Sequence, residues 1–168
     1  MWSDPLFWVV LVGVACAMEL WAMLLHGRLW HGALWPTHES HHVPRRGWFE
    51  FNDVFAVFHA GVAMFLIIYG FESDHGRWSH LMIAAGFGMS AFGLAYFTVH
   101  DGFIHGRLPV EWLSRFGFMR RVRNAHRVHH TREHAAPFGL FLGGWELRRA
   151  QRRRRAAREM GEAAAQNR

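Results

Sequence analysis

The sequence predicts an all-α integral membrane protein, about three to four transmembrane helices carrying a cytoplasmic, histidine-rich cap. Three observations predict it: apolar runs of spanning length, arginines gathered on one side of those runs, and clusters of histidine on that same side. The 168 residues form one domain at most, read as a membrane-embedded domain over 1–150 followed by an arginine-rich cytoplasmic tail over 151–168. The mean hydropathy of −0.03 hides this organisation, because apolar and basic residues occupy different stretches.

The first element runs from Pro5 to Leu25, 21 residues with Glu19 as the lone charge, long enough to cross a hydrocarbon core about 30 Å thick. Met1 to Asp4 carries no basic side chain, so the segment is expected to be a retained span and not a cleaved leader. The second run, Val54 to Phe71, contains His59 but no Asp, Glu, Lys or Arg, and the third, Leu81 to Val99, contains none of these and no histidine. Gly86, Gly88, Ser90 and Gly93 give the third run the small-residue surface on which helices pack closely in lipid.

Three crossings put 26–52 and 99–168 on one side and the loop 72–80 on the other. Eighteen of the nineteen arginines fall on the first side and only Arg77 on the second, which makes the arginine-rich side cytoplasmic. The same topology accounts for a pI near 11.1 without nucleic acid. Arg148, Arg149 and Arg152 to Arg155 then lie near anionic lipid headgroups, where they orient the chain.

A single cysteine, Cys16, excludes an intrachain disulfide framework and any cysteine-based zinc or iron–sulfur centre. Any metal must be held by histidine or oxygen. Ten of fourteen histidines form four groups: His26 and His31; His38, His41 and His42; His100 and His105; His126, His129 and His130. The order is H-x4-H, H-x2-H-H, then both again. On a helix, i, i+3 and i+4 share a face, so each H-x2-H-H group can direct three imidazoles at one point. The five-residue spacing suits either two different metals or a helix that loosens near its end. Hydropathy and arginine count place all four groups in one compartment at the membrane surface.

Imidazole suits zinc, copper, iron and nickel alike. Ten imidazoles exceed the needs of one zinc and point to a dinuclear, oxygen-activating centre. Soluble di-iron bundles use paired Glu-x-x-His motifs, and Glu39 to His42 is one copy where two are needed. His38-Glu39-Ser40-His41-His42 also reads as the H-E-x-x-H signature of zinc proteases, a reading that leaves most clustered histidines unused. A histidine-rich metal store is the non-enzymatic alternative. Asp101 beside His100 is positioned to fix a ligand's tautomer. His59 lies within a span, His75 and His80 on the far side, and His134 is left out of the ligand set. Glu19 is expected to face the bundle interior beneath His26.

These residues carry a resemblance. Met18-Glu-Leu-Trp21, Thr37-His-Glu-Ser-His-His-Val-Pro-Arg45, Phe51-Asn-Asp-Val-Phe-Ala56, His100-Asp-Gly-Phe-Ile-His105, Ala125-His-Arg-Val-His-His-Thr131 and Pro137-Phe-Gly-Leu-Phe-Leu-Gly143 resemble the β-carotene 3-hydroxylases, non-haem di-iron enzymes of the fatty acid hydroxylase and sterol desaturase superfamily. The resemblance covers about Val14 to Arg149. It implies O2-dependent hydroxylation of the β-ionone ring at carbon 3, taking β-carotene to β-cryptoxanthin and zeaxanthin. It implies two iron ions on the ten histidines named, and electrons from reduced ferredoxin and its NAD(P)H-dependent reductase. The spans and the arginine count are expected to place the chain in a bacterial inner membrane with its site on the cytoplasmic side, and no nucleic-acid partner is expected. Arg132 to Ala136 departs from the plant pattern by a slightly shorter loop that contains His134. A fatty-acid or sterol hydroxylase is the alternative within the superfamily.

A hydrocarbon substrate dissolved in the bilayer calls for an aromatic- and methionine-lined slot leading up to the metals, with Phe51, Phe55, Phe58, Phe97 and Trp112 as expected lining.

Overall fold

The computed structural model describes residues 1–132 and 135–166, so His134 lies outside the described residues. These are helical, with no strand among them. Helix α1 (Pro5–Leu25) passes without a break into a π-helical stretch, His26–Ala33, and α2 follows over Trp35–His42. Helices α3 (Asp53–Glu72) and α4 (Arg77–Tyr96) form a hairpin, and α4 runs on into a second π stretch, Phe97–Ile104. A 3-10 turn over Glu111–Arg115 leads into α5 (Gly117–His130), and α6 occupies Gly143–Gln166.

Among the described residues, three helical segments are long and apolar enough to cross a membrane: Pro5–Ala33, Asp53–Glu72 and Arg77–Ile104. They match the three runs read from hydropathy, the first and third prolonged by their π stretches. Helix α1 starts at Pro5, whose missing N–H costs nothing there, and Asp4 caps it by accepting the Leu6 N–H at 3.0 Å. Asp4 also pairs with Arg77 at 3.2 Å, so the one arginine in the short 72–80 loop has a partner.

Helix α4 is the centre of the bundle, with α1 and α3 packed on it. In lipid this contact comes from close approach, because burying an apolar side chain gains little when the solvent is itself hydrocarbon. The glycines supply the approach. A Cβ on Gly88 would lie 2.5 Å from the Leu11 carbonyl oxygen of α1, and one on Gly86 would lie 2.8 Å from the Ala63 carbonyl oxygen of α3. Gly93 differs: nothing lies within 4 Å of its missing Cβ, because there α4 borders a cavity. The wide exposure of Val9, Val12, Phe58, Phe65 and Ile68 is the lipid-facing surface of the bundle.

Where α4 runs into its π stretch, Val99, Phe103, Val122 and Leu140 form a buried cluster that seats α5 and the 138–142 loop on it. Glu19 is 6% exposed and accepts the Leu142 N–H at 2.9 Å. Glu146 accepts the Phe138 and Gly139 N–H groups at 2.9 and 2.6 Å. Two carboxylates therefore hold one loop, and the bundle-facing role expected of Glu19 is to anchor it.

Candidate metal centre

Among the described residues, nine histidines converge into two groups, one of His26, His31, His38, His42 and His129, the other of His41, His105, His126 and His130. Within each group the facing nitrogens lie within 4.8 Å of one another. His100, the tenth, packs its ring against His41, His105 and His126 at centroid separations of 4.6, 4.9 and 4.7 Å.

The grouping corrects one expectation. Neither H-x2-H-H motif directs three rings at one point: α2 sends His38 and His42 to the first group and His41 to the second, while α5 sends His126 and His130 to the second and His129 to the first. Positions i and i+4 share a ridge, and i+3 lies about 100° round the helix from i+4, so a helix wedged between two centres serves both. His42 and His130 stack across the divide at 4.3 Å. The H-x4-H spacing resolves as the loosened helix. In the π stretch the His105 N–H reaches the His100 carbonyl five residues back at 3.0 Å, and in the other stretch His26 and His31 face one another with Nε2 atoms 3.3 Å apart.

Five rings have their Nδ1 side occupied. His26 donates to the Phe138 carbonyl at 2.7 Å, His38 to Asn52 Oδ1 at 2.7 Å and His41 to Glu50 Oε2 at 2.9 Å. His100 donates to Asp101 Oδ2 at 3.1 Å and His129 to the Ala135 carbonyl at 3.4 Å. Carbonyl and carboxylate oxygens only accept, so each of these rings carries its proton on Nδ1 and presents a bare Nε2. The bare Nε2 atoms of His26 and His38 then face each other at 3.1 Å, and the Nε2 of His41 is buried with no hydrogen-bond partner. Two lone pairs so close repel unless a cation sits between them. Protonation does not supply it, since burial pushes His38 and His105 down to about 3, His129 to about 4 and His130 to about 2. The Nε2 separations of 2.8 and 2.9 Å about His126 are near the roughly 3 Å expected of adjacent nitrogens on one ion with bonds of about 2.1 Å. The donor set fits a metal in each group.

Carboxylates stand one layer behind the imidazoles. Arg107, its side chain 5% exposed, reaches Asp53 at 3.0 Å, Asp101 at 3.2 Å and Glu50 at 3.3 Å. Glu50 and Asp101 in turn hold His41 and His100, so one guanidinium braces two rings. Glu39 is exposed, which leaves the H-E-x-x-H reading without its base at the cluster. Asp101 was readable from its place beside His100. Glu50, Asn52, Arg107 and Phe138 lack any spacing rule, though Asn52 and Phe138 fall within the motifs quoted above.

A cavity of about 660 Å³ leads to this centre. It lies between α1 and α3 over α4, lined by Met18, Met64, Met89, Phe55 and Phe97, and it ends at His100 and Asp101. Phe51, Phe58 and Trp112, also expected on its wall, are instead 74%, 64% and 52% exposed on outer surfaces.

A helical membrane scaffold ending in two sets of converging imidazoles has the donor set of a histidine-box metal centre. The chain belongs to the fatty acid hydroxylase family, whose sequence model matches residues 11–147. It is 47% identical over 137 residues to β-carotene 3-hydroxylase 1, chloroplastic, of Arabidopsis thaliana, covering 81% of this chain and 44% of that protein. It is 46% identical over 128 residues to the β-carotene hydroxylase of Pseudescherichia vulneris, covering 74% and 70%. It is 38% identical over 142 residues to the chloroplastic β-carotene 3-hydroxylase of Haematococcus lacustris, covering 83% and 44%. The chain thus spans less than half the length of these plant and algal relatives. No solved structure matches it.

Proposed function

We propose that the chain hydroxylates the β-ionone ring of carotenoids at carbon 3, converting β-carotene to β-cryptoxanthin and then zeaxanthin. The observation that carries this reading is the apolar cavity that ends at His100 and Asp101, where the His100 ring packs against the second histidine group. The names of the relatives supply the substrate class. Two bound iron ions would supply what imidazole lacks, the activation of O2 so that one oxygen atom enters an unactivated C–H bond and the other leaves as water.

The chain's own residues do the rest. His26, His31, His38, His42 and His129 hold one ion, and His41, His105, His126 and His130 hold the other, with His100 as the tenth ligand. Phe138, Asn52, Glu50 and Asp101 fix the tautomers that keep Nε2 bare. The methionine and phenylalanine walls bind the ring and exclude water, while the rigid polyene stays in the bilayer. Electrons are assigned to reduced ferredoxin and its NAD(P)H-dependent reductase. The centre is assigned to the cytoplasmic face of a bacterial inner membrane, following the arginine asymmetry.

Expression in a β-carotene-producing bacterium followed by pigment chromatography tests this reading. Zeaxanthin with some β-cryptoxanthin is the expected product. Unchanged β-carotene beside iron-loaded protein and a working electron supply would overturn the substrate and favour a fatty-acid or sterol substrate. Metal analysis of the purified protein is expected to find iron in both histidine groups, about two ions per chain.

A further inference from the structure

Helices α1 and α3 both pack on α4, and the cavity fills the gap left between them. Val57, Met64 and Leu94 line that cavity yet are 70%, 60% and 69% exposed. All three belong to membrane-spanning segments, so the open side faces hydrocarbon. One hydrogen bond bridges the gap, from Trp21 Nε1–H on α1 to His59 Nε2 on α3, at 3.1 Å. The His59 Nδ1–H is already donated to the Phe55 carbonyl at 2.7 Å, so Nε2 is a bare acceptor. At 1.5 Å per residue, Trp21 lies about 7.5 Å below His26 along α1, and His59 lies about 9 Å below Asp53 along α3. The bridge therefore crosses the cavity at one depth, just membraneward of the metal centre.

We propose that the gap between α1 and α3 is a lateral portal through which the lipid-dissolved substrate reaches the cavity, and that Trp21 and His59 are its latch and its selectivity element. The proposal rests on reading the cavity as the substrate's site. A terminal ring cannot pass while the bridge is closed, and hydrocarbon offers neither an indole N–H nor a bare imidazole nitrogen another partner, so the bridge re-forms whenever the portal is empty. Once the ring has passed, indole and imidazole faces flank the chain behind it. A flat conjugated polyene lies between them without losing internal freedom, whereas a saturated acyl chain must give up rotamers to do so. The pair thus selects a rigid polyene over a flexible chain.

The experiment uses the full chain in nanodiscs, with β-carotene binding followed by quenching of tryptophan fluorescence. Trp21→Phe keeps the ring but loses the N–H, and His59→Leu loses the acceptor; both are expected to keep wild-type iron content and to accelerate β-carotene association about fivefold, with a lower KM. In a Cys16→Ser background, Trp21→Cys with His59→Cys is joined by a short bismaleimide. Cross-linking is expected to cut β-carotene binding and turnover at least about tenfold relative to the same protein before the linker is added. Unchanged association in both single variants, or full binding after cross-linking, would overturn the portal. Wild-type protein that binds β-carotene but converts none would instead overturn the proposed reaction and leave the portal standing.

Discussion

At the scale of single residues, the centre depends on groups that never touch a metal. Asn52 accepts the Nδ1–H of His38 at 2.7 Å and so decides which nitrogen of that ring is bare. Asn52→Leu is expected to lower metal affinity about 10–100-fold, read by chelator competition, while Asn52→Asp, which keeps an acceptor, stays closer to wild type. Arg107 serves three carboxylates at once. Arg107→Met leaves those partly buried acids crowded together without a counter-charge and is expected to cost up to about 3 kcal/mol, the low end of the penalty for removing one partner of a buried ionic group. Denaturant unfolding measures it. Arg107→Lys is expected to recover only part, since a point ammonium does not reproduce a planar fork. The histidines were legible in the sequence because residue type and short spacing both mark them. Their braces were not. Arg107 and Asp53 are 54 positions apart, and no local pattern links residues that meet only after folding.

At the scale of elements, the bundle relies on glycine where backbones approach and leaves glycine idle elsewhere. Gly88→Ala drives a Cβ to 2.5 Å from the Leu11 carbonyl, and backbone cannot step aside as a side-chain tip can. It is expected to destabilise the α1 and α4 pair by about 1–3 kcal/mol in unfolding from mixed micelles. Gly13→Ala on α1, with nothing within 4 Å of the added Cβ, is the control and is expected to be neutral or slightly stabilising. The three spans were legible because length and apolar content are read directly. The π stretches were legible in part: a five-residue histidine spacing left two explanations open, and the loosened helix is the one the fold adopts. The division of each H-x2-H-H motif was not legible, because periodicity says which residues share a ridge and nothing about how many centres that ridge lies between.

At the scale of the whole molecule, the cap has little apolar core of its own. Its buried hydrophobic cluster is four residues, Val99, Phe103, Val122 and Leu140, while nine histidines from four separate stretches converge on two points. Bare nitrogens turned toward one another oppose folding until an ion joins them, so with the metals of the proposed function the cap is expected to fold as it binds them. The spans are different: α1, α3 and α4 satisfy their backbone hydrogen bonds internally and pack without reference to the clustered histidines. Stripping the metal from purified protein with a strong chelator is therefore expected to split the molecule. Helical circular dichroism should fall by the share of α2, α5 and the π stretches, while α1, α3 and α4 stay folded. Hydrogen exchange should rise across 26–42 and 97–130 and remain slow across 54–71. Returning iron should restore protection in both regions together, because α2 and α5 each serve both groups and neither can be rebuilt alone. Protection that returned to one group at substoichiometric iron while the other stayed open would show the two centres folding independently, against the shared-helix arrangement.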